Sequence, residues 1–358
     1  MKDGELKFIH SGASMLNMML TGHPLLGWPL GRISNIIGDK STGKTLLAIE
    51  AATLFLENPP KGITDPVVVY HETEAAFDVG YAEMLGMPVD RVEFEDADTV
   101  EEFHELVMKK CNESKRGRGY FYVLDSLDSL SSQAEMDRDV GDDKTYKTEK
   151  QRAMGEMFRK QVREMQAANL HLMIISQIRE NITSIPFAPK WRRSGGKALD
   201  FYASHVIWLA EVAKHKTRDW VYGIGVRAKC TKNKVARPYR QVDFPIIFEY
   251  GLDDITAMFN FLNDKALPKS IRYERKKGAI WETPFTDTAA KLEELVTLIE
   301  DDPELYKQLV RRAYAGWNWY EEQCTVDRMS KAALISNVTP QDIEEDDTVD
   351  SETEEATG

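Results

Sequence analysis

Cysteine is scarce: Cys111, Cys230 and Cys324 are spread over 358 residues. None is spaced from another as metal ligands are, and three distant thiols make no disulfide framework. A zinc module and a disulfide-stapled secreted scaffold are therefore excluded, and a reducing cytoplasmic setting is expected. Long apolar runs are missing too. No stretch approaches the roughly 18 apolar residues that span a bilayer, and the opening Met1-Lys2-Asp3-Gly4-Glu5 has no secretory character, so no membrane partner is expected. Positive charge is in deficit, with 46 Lys and Arg against 59 Asp and Glu, a net charge of −13. No internal repeat is evident, which argues against a solenoid or propeller.

The charge is unevenly placed. Residues 341–358 hold nine acids and no base, whereas Lys190 to Arg240 holds thirteen Lys or Arg against Asp200, Glu211 and Asp219. A basic segment in a mildly acidic body, followed by an acidic tail, suits a protein that meets a polyanion and regulates that meeting; a solvated basic face with a solubilising tail is the alternative.

From about Gly31 short apolar runs alternate with amphipathic stretches. Arg32–Ile37, Pro66–Tyr70, Arg91–Glu95, Gly119–Leu124 and His171–Ser176 read as strands, and PVVVY is continuous and β-branched, as a strand covered on both faces should be. Lys44 to Leu56, Val79–Leu85, Val100–Cys111 and Thr148–Ala168 read as helices. The last sets Ala153, Met154, Met157, Phe158, Val162 and Met165 on one face, which suits a core contact. This alternation predicts an α/β fold with a mostly parallel central sheet and right-handed crossovers. Beyond residue 203, Val206–Val212, Tyr222–Thr231 and Gln241–Tyr250 are strands with short connections, so the sheet should end in antiparallel strands. The expected organisation is a short lead-in over 1–30, an α/β core over 31–265, a small C-terminal α+β domain over 266–337 and a disordered acidic tail over 338–358. Within the small domain Asp302-Pro303-Glu304 is a helix start, an acid cap followed by proline.

Gly38-Asp39-Lys40-Ser41-Thr42-Gly43-Lys44-Thr45 fits G-x-x-x-x-G-K-[ST] between a strand and a helix. The glycines let the backbone turn tightly, so that N–H groups and the helix N-terminus face phosphates. Lys44 then supplies charge to the β- and γ-phosphates, and the Thr45 hydroxyl is a Mg²⁺ ligand, so ATP and Mg²⁺ are the expected ligands. Asp125, at the end of the apolar strand Tyr122-Val123-Leu124, is the expected second acid for the metal. Hydrolysis further needs a group that orients and deprotonates water. Glu72 and Glu74 both follow the strand Pro66–Tyr70, and residues two apart on an extended segment share a face, so spacing does not choose between them.

Taken in order, these motifs resemble the RecA family of bacterial and phage DNA recombinases over about residues 9–260, and more weakly to about 320. The likeness begins with Ile9-His10-Ser11-Gly12 and Gly31-Arg32-Ile33. Thr73-Glu74-Ala75-Ala76-Phe77-Asp78, continuing to Tyr81 and Leu85-Gly86, is similar to the segment with the family's catalytic glutamate. The resemblance thus implies Glu74 as the base and sets Asp78 and Tyr81 against the adenine. Leu124-Asp125-Ser126 matches the Walker B strand. Ile175-Ser176-Gln177-Ile178-Arg179 resembles the segment whose glutamine senses the γ-phosphate, and it leads into a DNA-binding loop over 178–196 that ends in Gly195-Gly196. Lys232-Asn233-Lys234 looks like the paired lysines that reach a neighbouring subunit's ATP.

The residues themselves agree with a nucleic-acid surface: Arg179, Lys190, Arg192 and Arg193 stand with Phe187 and Trp191, cations for phosphates beside apolar rings for bases. A second DNA loop is expected over 134–147. Arg272, Arg275, Lys276 and Lys277 could guide duplex DNA, with a solvated hairpin as the alternative. Few residues precede Ile9, whereas the bacterial family has an N-terminal helix and strand there, so assembly by that element is not expected. The resemblance implies a cytoplasmic, DNA-dependent ATPase. It would bind single-stranded DNA as a homo-oligomeric helical filament and pair it with homologous duplex DNA. The alternative is a RecA-like ATPase that acts as a recombination mediator or regulator without strand exchange. Two further rivals are a structural DNA-binding protein with ATP as an assembly switch and a small-molecule P-loop kinase.

Overall fold

The structure, a computed structural model, describes residues 6–73, 77–137, 146–180, 191–193, 196–277 and 280–336. The acidic tail therefore lies outside the described residues. The chain packs as two units, Met1–Trp317 and Asn318–Gly358.

Along the first unit, strands Phe8–Ile9 (β1) and Trp28–Pro29 (β2) pair antiparallel on either side in sequence of helix Ser14–Thr21 (α1). There follow β3 (Ile33–Gly38), α2 (Lys44–Glu57), β4 (Asp65–Glu72), α3 (Val79–Met84), β5 (Val92–Glu95), α4 (Val100–Asn112) and β6 (Arg118–Asp125). Next come α5 (Gln133–Met136), α6 (Tyr146–Ala167), β7 (Leu170–Glu180), β8 (Trp191–Arg193) and α7 (Gly196–Tyr202). The pattern then changes to β9 (His205–Thr217), β10 (Trp220–Asn233), β11 (Arg240–Ile247) and β12 (Gly251–Leu252). Helix α8 (Asp254–Leu262), the short strands β13 (Glu274–Lys276), β14 (Ile280–Glu282) and β15 (Ala290–Lys291), and helices α9 (Leu292–Asp301) and α10 (Pro303–Gln323) complete the series.

The large sheet runs β12-β11-β10-β9-β3-β7-β6-β4-β5. Strands β9, β3, β7, β6, β4 and β5 are parallel, and β9 to β12 are antiparallel. The expected α/β fold with a mostly parallel sheet and an antiparallel end is therefore present, and β13–β15 form a separate antiparallel sheet. Continuous apolar runs mark the central strands because both faces are covered: Val68, Val69 and Tyr70 of β4 and Tyr122, Val123 and Leu124 of β6 are fully buried. Met154, Met157, Phe158 and Met165 of α6 enter the same core as Phe103 of α4, so the methionine face is packing. Helix α4 starts with a capping box, Thr99 accepting from the Glu102 amide at 3.2 Å.

Two features go beyond the expected pattern, and one bears it out. The segment before Gly31 carries a helix, α1, in which Met15, Leu16, Met18, Met19 and Leu20 are all buried. Strands β9 and β10 are longer than their apolar cores, because Lys214, His215 and Lys216 continue as a two-stranded ribbon with exposed faces. The Asp302 side chain accepts from the Glu304 amide at 2.9 Å, as the acid-proline start required, while Asp302 also closes α9.

Helix α2 is tied to the far end of the sheet through a half-buried acid. Glu50 accepts from the Leu252 amide at 2.7 Å, and its carboxylate occupies the space that a side chain on Gly251 would need. Gly251 itself has φ of 108°, which favours glycine. Nearby, Asp254 accepts from the Ser14 amide at 2.7 Å and from the Tyr306 hydroxyl at 2.9 Å, joining α1, α8 and α10. Burial raises the Glu50 carboxyl to about 7, the Leu252 amide opposes the shift and the Asp254 charge adds to it.

A carboxyl whose folded pKa is raised holds its proton longer when folded than when unfolded. Its stabilising contribution is complete below about 4.5 and disappears as the pH rises through about 7. The stability of the wild type relative to E50Q should thus fall by about 2 to 3 kcal/mol between pH 5 and pH 8. Urea unfolding of both proteins across that range measures it, and a flat difference would show that Glu50 is not held in its neutral form.

Candidate nucleotide site

Strand β3 ends at Gly38 and α2 begins at Lys44, so the glycine motif is the turn between them. The turn closes on the Asp39 carbonyl, which accepts from the Thr42 hydroxyl at 2.9 Å and from the Lys44 ammonium at 2.6 Å. Ser41 and Gly43 adopt the left-handed conformation, with φ of 57° and 85°. Alternation of this kind makes a concave nest of N–H groups, and the amino end of α2 adds its dipole; the combination favours an anion. Lys44 is buried, so its charge acts in a medium less polar than water.

The second half of the site comes from register. Strand β6 delivers Asp125 beside Glu72 of β4, and β7 delivers Gln177 beside Gly38 of β3. Gly38, Glu72 and Asp125 end their strands, and Gln177 stands level with Gly38 three residues before the end of β7. The Thr45 hydroxyl donates to Asp125 Oδ2 at 2.8 Å, and the Tyr70 hydroxyl donates to the same oxygen at 3.0 Å. Burial and then the Asp125 charge hold the Tyr70 phenol well above its ordinary pKa, so it is a proton donor here. Thr73 steadies the turn after β6: its hydroxyl accepts from the Ser126 amide at 2.9 Å, and its amide donates to the Asp125 carbonyl at 2.9 Å. The Asp125–Ser126 peptide is cis. Gln177 is fixed through its amide, which donates to Asp128 Oδ2 at 2.8 Å. Thr45 and Asp125 offer a hydroxyl and a carboxylate within one hydrogen bond, an oxygen pair suited to a hard cation such as Mg²⁺.

A cavity of 260 Å³ opens at the P-loop, walled by Ser41 to Leu46 on one side and by Tyr81, Ile224, Ile246 and Phe248 on the other. Tyr81 is aimed by helix α3, whose cap Asp78 accepts from the Tyr81 amide at 2.9 Å. Tyr81 is therefore beside the phosphate loop, and Asp78 caps the helix that carries it. Ile224, Ile246 and Phe248 were not singled out by sequence. They are ordinary alternating residues of β10 and β11 and of the turn that follows, and only the folding of the antiparallel extension beside the P-loop makes them a wall. Their apolar surface with Tyr81 suits a flat heterocyclic base.

The family model of the RecA N-terminal domain matches residues 1–253. The chain belongs to the RecA family. It is 28% identical over 296 residues to Protein RecA of Clostridioides difficile, covering 83% of this chain and 80% of that protein. It is also 31% identical over 286 residues to Protein RecA of Gluconacetobacter polyoxogenes, covering 80% and 77% of the two chains. Protein RecA of Trichodesmium erythraeum aligns at 27% over 355 residues, or 98% of this chain and 89% of that protein.

Other candidate residues of this RecA-family chain do not meet the P-loop. Lys232 and Lys234 sit at the opposite edge of the sheet, since Lys232 pairs with Val206, and Val206 with Asn35 near the start of β3. Three residues along β3 separate that level from Gly38, about 10 Å of strand, with β9 lying between besides. The Lys232 ammonium donates to the Asp200 carbonyl and, at 2.8 Å, to that of Phe201; Lys234 donates to the Phe201 carbonyl at 2.9 Å. The two cations thus sit on the carboxyl end of α7, where the helix dipole favours them.

Glu74 lies outside the described residues, as do Phe187, Lys190 and Gly195. So do residues 138–145 of the expected loop over 134–147; Ala134 to Met136 belong to α5. The expected loop over 178–196 is strand at both ends, for Arg179 pairs with Arg192 and Ile178 with Arg193, and Trp191 pairs with Glu180. Gly196 is the first residue of α7. Among the described residues no helix is long and apolar enough to cross a membrane.

Phe248 gives a direct check on the apolar wall. F248A should weaken binding of nucleoside di- and triphosphates alike, by roughly tenfold, because a ring against the base acts the same whatever phosphates follow. Fluorescence titration with labelled ADP and ATP analogues measures both, and an unchanged affinity would remove Phe248 from the site.

Proposed function

We propose that this chain is an ATP-dependent DNA recombinase that binds single-stranded DNA as a filament and promotes homologous pairing and strand exchange. The observation that carries the nucleotide half is the convergence of the Thr45 hydroxyl on the Asp125 carboxylate beside a P-loop closed by Lys44. ATP would place its phosphates on the Gly38–Thr45 loop and its adenine between Tyr81 and the Phe248 wall. Thr45 and Asp125 would hold Mg²⁺, which when bound neutralises charge between the β- and γ-phosphates. Glu74, two residues beyond the carboxyl end of β4, would orient and deprotonate the attacking water, and Lys44 would stabilise the charge that develops on the γ-phosphate.

The DNA half rests on the segment that leaves the nucleotide site. Gln177 stands next to Gly38, and β7 continues through Arg179 into the basic-aromatic stretch that returns as Trp191–Arg193. A γ-phosphate felt by Gln177 would thereby bias the segment that holds single-stranded DNA through Arg179, Lys190, Arg192, Arg193, Phe187 and Trp191, up to Gly195 and Gly196. Lys232 and Lys234, remote from their own P-loop, would serve the nucleotide of an adjoining copy. Membership of the RecA family supports both halves.

ATP turnover measured with and without single-stranded DNA tests the proposal. The wild type should be stimulated and should form filaments with a non-hydrolysable analogue under the electron microscope. E74Q should keep nucleotide binding and lose turnover by 10²-fold or more, on the order expected for a general base. K44A mixed with the K232A/K234A double variant should regain turnover that neither shows alone, since half of the mixed interfaces would be intact. Absence of DNA stimulation together with absence of filaments would sink the reading, and normal turnover with no D-loop formation would withdraw strand exchange from it.

A further inference from the structure

The Tyr70 side chain is fully buried on β4, its ring 4.6 Å from that of Phe77 and 6.3 Å from that of Phe94. Phenylalanine would fill that space equally well. A buried hydroxyl costs free energy unless it is bonded, so its presence calls for an account beyond packing. Its partner is Asp125 Oδ2, the oxygen that also accepts from Thr45. Two donors from different elements, one on β4 and one on the P-loop helix, converge on one oxygen and fix the plane of the carboxylate. Thr45 and Asp125 are the residues suited to the metal, and Tyr70 touches only the second.

We propose that Tyr70 is a positioning residue for the metal side of the nucleotide site: its hydroxyl orients the Asp125 carboxylate and so sets how tightly Mg²⁺ is held with the nucleotide. The inference rests on the nucleotide-site reading above and deepens it. Partners that orient a metal ligand typically change metal affinity by about 10- to 100-fold when removed. The same ring lies against Phe77, three residues after Glu74, so the side chain that orients Asp125 also buttresses the far end of the segment carrying the candidate base.

The test uses the full chain and a fluorescent ATP analogue with an imidodiphosphate group, with Mg²⁺ titrated into wild type, Y70F, D125N and the double variant. Y70F keeps the ring and removes one oxygen. Its half-saturating Mg²⁺ should rise about tenfold, while analogue affinity in EDTA changes by less than twofold. On the D125N background Y70F should have no further effect, because the residue it acts through is gone; this comparison holds even if Y70F lowers the melting temperature. A Y70F titration that overlays the wild type would overturn the inference, as would a tenfold effect that persists on D125N. If the wild type shows no Mg²⁺-dependent binding at all, the nucleotide-site reading falls and this inference with it. Wild-type binding with an unmoved Y70F removes only the role of Tyr70.

Discussion

Everything at the nucleotide site depends on the parallel register of β3, β7, β6 and β4. Parallel neighbours end on the same edge, so Gly38, Gln177, Asp125 and Glu72 are delivered together although they are far apart in sequence. The register is held by strands buried on both faces, and a slip would carry Asp125 away from Thr45. The short Thr45–Asp125 hydrogen bond is thus a consequence of the core, and it converts a glycine turn into a site with both an anion cradle and an oxygen pair for a cation.

The site also needs the antiparallel end of the sheet. Ile224, Ile246 and Phe248 wall the cavity from β10, β11 and the turn beyond, while Glu50, on the helix that follows the P-loop, is anchored to Leu252 at the end of β12. The P-loop helix is therefore gripped from behind by the same extension that lines the cavity in front.

Residues with a signature in their spacing were legible. The glycine motif, Asp125 after an apolar run, and the strand-helix alternation follow from local chemistry, and the structure brings Thr45 and Asp125 together as that chemistry requires. Tyr81 was found through resemblance and stands at the cavity. Phe248, Ile246 and Ile224 were not legible, because their periodicity is that of any half-buried strand and their role arises from a tertiary approach. Tyr70 was hidden for another reason: in PVVVY an aromatic reads as core, and nothing local reveals that its hydroxyl reaches a residue 55 positions away. The buried helix α1 escaped notice because Ser14–Thr21 is two turns long and apolar on most sides, a pattern with little period.

The two edges of the sheet carry different groups. At the carboxyl edge lie the phosphate loop and the metal-side pair; at the amino edge Lys232 and Lys234 sit on α7 beside the exposed Phe201, and Lys234 lines a 320 Å³ hollow with Arg32 and Tyr202. Within one chain the level of Lys232 lies about 10 Å along β3 from that of Gly38. Under the proposed function these cations serve a nucleotide on another copy, and a contact of unlike edges is heterologous. Repetition of such a contact gives a ring or an open helix. Under that proposal, the separation of the lysines from their own P-loop is what sets the nucleotide at a contact between copies.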